Sequence, residues 1–144
     1  MFLVKSAGLI ALAAMVWYIL KVVADWKIFT KAGEAGWKSL IPFYNVIVEY
    51  DISWKPIYGV LCLAATFLSS WCASKIGGQE AVPAWLTTLQ SVAGLAMGVL
   101  HFIQSIKLSK AFGKGFFYGI LLFAFGPLFR VILGLGDSEY IGPQ

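Results

Sequence analysis

Gln90, Gly94, Gly98, His101 and Ser105 follow one another at three- to four-residue intervals in one apolar stretch, with Gln104 beside them. That spacing stacks side chains on one face of a helix. Against lipid an amide or imidazole is expensive, so this face is expected to turn toward a bundle interior or a wet cavity. One reading is a ligand or proton path with His101 titrating. The plainer one is packing, in which Gly94-x-x-x-Gly98 lets another helix approach while Gln90, His101 and Gln104 hydrogen-bond across it. Packing is preferred. Gly115 and Gly119, like Ala65, Ser69 and Ala73, repeat small-residue spacing and read as further packing seams. Arg130 sits inside the last apolar stretch and must snorkel, pair or line a wet pocket. Asp137 and Glu139 are its nearby candidate partners. It is expected to act as a surface anchor, with an anionic lipid headgroup as the sharper alternative. Glu49 and Asp51, flanking Tyr50, read as solvated boundary charges, with cation or partner contacts as the alternative.

No nucleophile elbow, phosphate-binding loop, histidine pair or zinc spacing occurs, so enzyme chemistry, a metal centre and a cofactor are not expected. Cys62 and Cys72 are ten residues apart in one expected helix. At the helical rise that is about 15 Å, too far for a disulfide.

The elements that position these residues follow from composition. With 144 residues, 60% hydrophobic, 16% aromatic and 12% charged, the chain is far more apolar than a soluble core requires. The net charge of +4 is spread over single lysines among aromatics, which fits membrane anchoring rather than nucleic acid. Four apolar stretches, residues 6–24, 56–74, 84–106 and 115–136, have roughly the 20-residue length that crosses a bilayer. The first is also readable as a cleaved signal peptide, but Trp17, Tyr18 and Lys21 spoil its end. Pro127 is expected to kink the fourth. Between the first two spans, Trp26, Trp37, Tyr44 and Trp54 alternate with lysines, as interfacial anchors do. The segment from Phe43 to Val48 is too short to span, and is expected to lie in the interface or dip into it.

Lys27, Lys31, Lys38 and Lys55, then Lys107, Lys110 and Lys114, concentrate basic charge in two loops. By the positive-inside rule both face the cytoplasm, so four spans leave both termini outside. The predicted fold is therefore an all-α polytopic bundle of four transmembrane helices with an interfacial helix in the first cytoplasmic loop. Sliding the chain by 79 positions places Thr30-Lys31-Ala32 on Ser109-Lys110-Ala111 and Gly36-Trp37 on Gly115-Phe116, a faint sign of parallel duplication. Chance agreement in so apolar a chain is the rival explanation.

The run Trp26-Lys27-Ile28-Phe29-Thr30-Lys31-Ala32-Gly33-Glu34-Ala35-Gly36-Trp37-Lys38-Ser39-Leu40-Ile41-Pro42-Phe43-Tyr44-Asn45, with Ser109-Lys110-Ala111-Phe112-Gly113-Lys114-Gly115 later, resembles a bacterial family of small multi-span membrane proteins of unknown function. The resemblance covers nearly the whole chain and implies only membrane location and several spans. Some members carry the name signal peptidase I. That activity needs a serine followed by Met-x-Pro and a lysine base on a large outer domain. This chain has neither the motif nor loops long enough for the domain. The expected function is a non-enzymatic membrane component that binds a membrane protein partner or forms a homo-oligomer. An oligomeric channel or transporter and a lipid-handling protein, with membrane lipids as partners, are the alternatives.

Overall fold

The computed structural model describes residues 2–78 and 80–144, residues 2–4 by backbone alone; Gln79, in the expected turn after the second span, lies outside the described residues. The elements are α1 (Phe2–Lys31), a short 3-10 helix (Gly36–Leu40), α2 (Tyr44–Ser53), α3 (Pro56–Ile76), α4 (Ala84–Ala111), α5 (Phe116–Ala124) and α6 (Gly126–Leu135). No strand occurs among the described residues. Three helices, α1, α3 and α4, are long and apolar enough to cross a membrane. Only 6%, 11% and 11% of their most apolar stretches are buried within the protein. Their side chains therefore turn outward, the arrangement an apolar solvent favours and water penalises.

The fourth expected span is not one helix. Phe125 leaves helical geometry at φ −124°, ψ 41°, and Gly126-Pro127 then starts α6, where a missing N–H costs little. The chain reverses rather than kinks. The Tyr118 hydroxyl donates to the Phe129 carbonyl at 2.9 Å, and their rings meet edge to face. In a continuous helix those residues would be about 16 Å apart along the axis. The start of α5 and the end of α6 are adjacent, with Lys114, Tyr118, Gly136 and Asp137 lining one cavity. α5 packs on α4 and α6 on α1, so each short helix leans on a long one.

This reversal moves the carboxyl-terminal residues. Lys31 at the end of α1 donates to the Leu133 and Gly136 carbonyls, at 2.9 and 2.6 Å. Ile141 N–H bonds Ala111 O, Tyr140 bonds Ile52 O, and Lys107 bonds Gln144 O. Residues 137–144 thus lie at the end of the bundle where α1 and α4 finish, opposite the end where α1 begins. The stretch expected as a fourth span is thus two short helices that fold back on each other.

The segment between α1 and α3 makes a similar excursion. The Phe43 ring lies 5.1 Å from the Phe67 ring, which is eleven residues into α3, so the turn reaches about 16 Å along the bundle. From there α2 returns, with Val48, Tyr50, Ile52 and Ser53 buried against α3 and α4. It is therefore packed into the bundle along one face.

The two excursions follow equivalent helix ends. Glu34 N–H bonds Phe29 O and Gly33 N–H bonds Thr30 O; Lys114 N–H bonds Ser109 O and Gly113 N–H bonds Lys110 O. Gly33 and Gly113, at φ 81° and 71°, adopt the left-handed conformation this cap requires. Ala24, Asp25, Ile28 and Phe29 are buried, and so are Gln104, Ser105, Leu108 and Ser109, each eighty positions later. The structural repeat is thus a long helix followed by a returning helical hairpin, with α3 between the copies. Its offset is one residue more than the sequence slide suggests.

Candidate functional site

The two hairpins meet at a buried charge cluster. From α6, Arg130 Nη1 donates to Asp25 Oδ1 of α1 at 3.0 Å, and Nη2 donates to Glu49 Oε1 of α2. Asp25 Oδ2 accepts from Lys21 Nζ at 2.9 Å, one helical turn earlier. The Asp25 and Arg130 side chains are 3% and 8% exposed, so neither charge is left to water. Two cations face two carboxylates and the cluster sums to zero, which is what tolerates charge in a low dielectric. Arg130 is six residues before Gly136, and Asp25 six before Lys31, so the cluster sits about 9 Å in from the helix ends.

Each element reaches the cluster for a local reason. A Cβ added to Gly134 would stand 2.8 Å from Ala24 O, so only a glycine lets α6 approach α1 this closely. At Gly119 an added Cβ would meet Ile106 Cα at 2.6 Å, which fixes α5 against α4. Gln104, fully buried, donates from Nε2 to Ser53 Oγ at 3.4 Å and ties α4 to the end of α2.

Beside the cluster is a cavity of about 290 Å³ lined by Lys21, Glu49, Tyr50, His101, Pro127 and Arg130 among others. The Tyr50 hydroxyl is buried there beside Cys62, with no hydrogen bond of ordinary geometry among the described residues. A second cavity, about 430 Å³, shares Val46 and Cys62 with the first and continues past Tyr18, Leu63 and Thr66. α1 packs against α6, the 3-10 helix and α2 but not against α3 or α4. Between α1 and α3, bridged by the first hairpin, there is consequently a lateral cleft: charged side chains gather at one end, and Tyr18, Leu40, Phe43, Val46 and Leu63 with Ser39, Asn45 and Thr66 line the rest.

The residues singled out in the sequence do not form one site. His101 reaches the cavity and packs on Phe123 at 5.7 Å between ring centres. Ser105 is buried and its hydroxyl donates to its own helix at His101 O. Gln90 is eleven residues from His101, about 16 Å along α4, and lines neither cavity. Gly94, Gly98 and Gly115 have open space where a Cβ would stand; of the four glycines, Gly119 alone is a packing contact within the chain. Arg130 is not paired with Asp137 or Glu139, which lie beyond the end of α6. Of the aromatic anchors, Trp26, Trp37 and Tyr44 are exposed, and Trp54 stacks on Tyr58 at 3.6 Å with Lys107 at 5.9 Å over its ring.

Sequence spacing does not single out Asp25, Lys21 or Tyr50 as site residues, and Glu49 reads as solvated, whereas all four meet at the cluster or its cavity. A signal existed: Lys21 and Asp25 are four apart near the end of an apolar helix, the spacing of a helical ion pair. Arg130, deep in another such stretch, needed an acid of its own.

Fold and site define an all-helical protein with three membrane-length helices and a neutral charge cluster where two returning hairpins meet. The chain belongs to a family of unknown function, DUF5684, whose model matches residues 37–143. The match takes in Glu49, Tyr50, His101 and Arg130, while Lys21 and Asp25 precede it. No curated protein and no solved structure matches the chain.

Proposed function

We propose that the protein is a small non-enzymatic membrane component that holds a membrane lipid in the cleft between α1 and α3. The observation that carries this reading is the gap itself. Among the described residues α1 does not pack on α3 or α4, and the space between has charged side chains at one end and a mostly apolar lining along the rest. A lipid has the same division, polar at one end and apolar along its length. By the positive-inside rule the end bearing Lys27, Lys31, Lys107, Lys110 and Lys114 faces the cytoplasm. Three spans and two hairpins then leave residues 137–144 on the cytoplasmic side. The cluster belongs to the cytoplasmic leaflet, and the second cavity runs from it toward the bilayer centre, as acyl chains do.

A second reading, association with a second copy or a membrane protein partner, is supported by the open, exposed Gly94 and Gly98. A channel has less support, because the charged groups gather toward one end. Native mass spectrometry of protein released from mild detergent separates these readings. A monomer retaining lipid is expected. A defined oligomer without lipid would favour self-association, and a bare monomer would overturn the lipid reading.

A further inference from the structure

The cavity at the cleft floor has unspent groups of both signs, and these select among lipids. Lys21 Nζ gives one proton to Asp25 and its side chain is 41% exposed, which leaves two donors free. The Tyr50 hydroxyl is buried beside the cavity and, among the described residues, has only the weakly accepting Cys62 sulfur next to it. Glu49 accepts from Arg130 through Oε1, and its Oε2 accepts nothing among the described residues. A ligand that satisfies all three must offer an acceptor to Lys21 and Tyr50 and a donor to Glu49.

Resting on the lipid reading, we propose that this cavity recognises the headgroup of a zwitterionic phospholipid bearing a primary amine, its phosphodiester on Lys21 and Tyr50 and its ammonium on Glu49. Charge balance favours a zwitterion. Lys21 and Arg130 already cancel Asp25 and Glu49, so an anionic headgroup would bring an uncompensated charge into a buried neutral site. A primary ammonium offers three N–H donors to the free carboxylate oxygen, whereas a quaternary ammonium offers none. The cavity's roughly 290 Å³ suits a headgroup, and the adjoining space along Tyr18, Leu63 and Thr66 receives the chains.

The test is native mass spectrometry of the detergent-solubilised protein after exchange with equal amounts of phosphatidylethanolamine, phosphatidylcholine and phosphatidylglycerol of identical chains. The ethanolamine lipid is expected to be retained about tenfold over the other two, the value of one charge-assisted hydrogen bond. Glu49→Gln keeps an acceptor for Arg130 and is expected to erase the preference over the choline lipid while lipid is still bound. Lys21→Met, at a half-exposed side chain, is expected to lower retention of all three, and stands as the second variant should Glu49→Gln fold poorly. Equal retention of the three lipids by the native protein would overturn the headgroup assignment and leave the lipid reading intact. Retention of none would overturn both. Binding of soluble phosphoethanolamine in place of lipid would overturn the lipid as the source of the headgroup.

Discussion

Replacing Arg130 with methionine is expected to cost about 3–5 kcal/mol of stability, the range for breaking a buried ion pair from one side. The guanidinium holds α6 to α1 through Asp25 and to α2 through Glu49. Without it, two carboxylates share a site where the Asp25 side chain is only 3% exposed and Lys21 is their one remaining cation. The triple variant Arg130→Met, Asp25→Asn, Glu49→Gln removes the stranded charges and is expected to recover most of the loss. Arg130→Lys is expected to fall between, since an ammonium lacks the planar fork that bridges both acids. Thermal unfolding in one detergent, followed by helical circular dichroism, ranks the four proteins. A single Arg130→Met as stable as the native chain would show that the cluster does not hold the hairpin.

Gly119→Ala is expected to destabilise by about 1–3 kcal/mol, the usual cost of overpacking. The added methyl would stand 2.6 Å from the Ile106 backbone, and backbone cannot swing aside as a long side chain can. α5 would have to lift from α4, and with it the tip of the hairpin. Gly94→Ala is the matched control, because nothing lies within 4 Å of a Cβ there. It is expected to be neutral or to stabilise by up to about 1 kcal/mol, the helix propensity difference. The same unfolding measurement decides between them, and equal effects would deny the close contact of α5 with α4.

The long helices were legible because hydropathy and length suffice for them. α1, α3 and α4 cover the stretches read as the first three spans, and Pro56 opens α3 as its position suggested. The fourth stretch misled because hydropathy has no sense of direction. Residues 115–136 are as apolar as a span, and only the Phe125-Gly126-Pro127 turn makes them two helices that fold back. The polar face of α4 was legible as a pattern but not as a site. His101 and Gln104 lie where α4 packs on α5 and α2, whereas Gln90 lies beyond both cavities. The partners of Arg130 are not its sequence neighbours Asp137 and Glu139 but Asp25 and Glu49, 105 and 81 positions away, brought together only by the two hairpins.

The reversal at Phe125 underlies the cluster, the cleft and the orientation alike, and cysteine accessibility tests it most directly. In a background with Cys62 and Cys72 replaced by alanine, single cysteines are placed at Val82, Lys110 and Glu139, all at exposed positions. Each is labelled with an impermeant maleimide in vesicles of known sidedness. Glu139→Cys is expected to react from the same side as Lys110→Cys and from the side opposite Val82→Cys. Reaction of Glu139→Cys together with Val82→Cys would mean that residues 115–136 cross the membrane after all, and would contradict the hairpin on which the site is built.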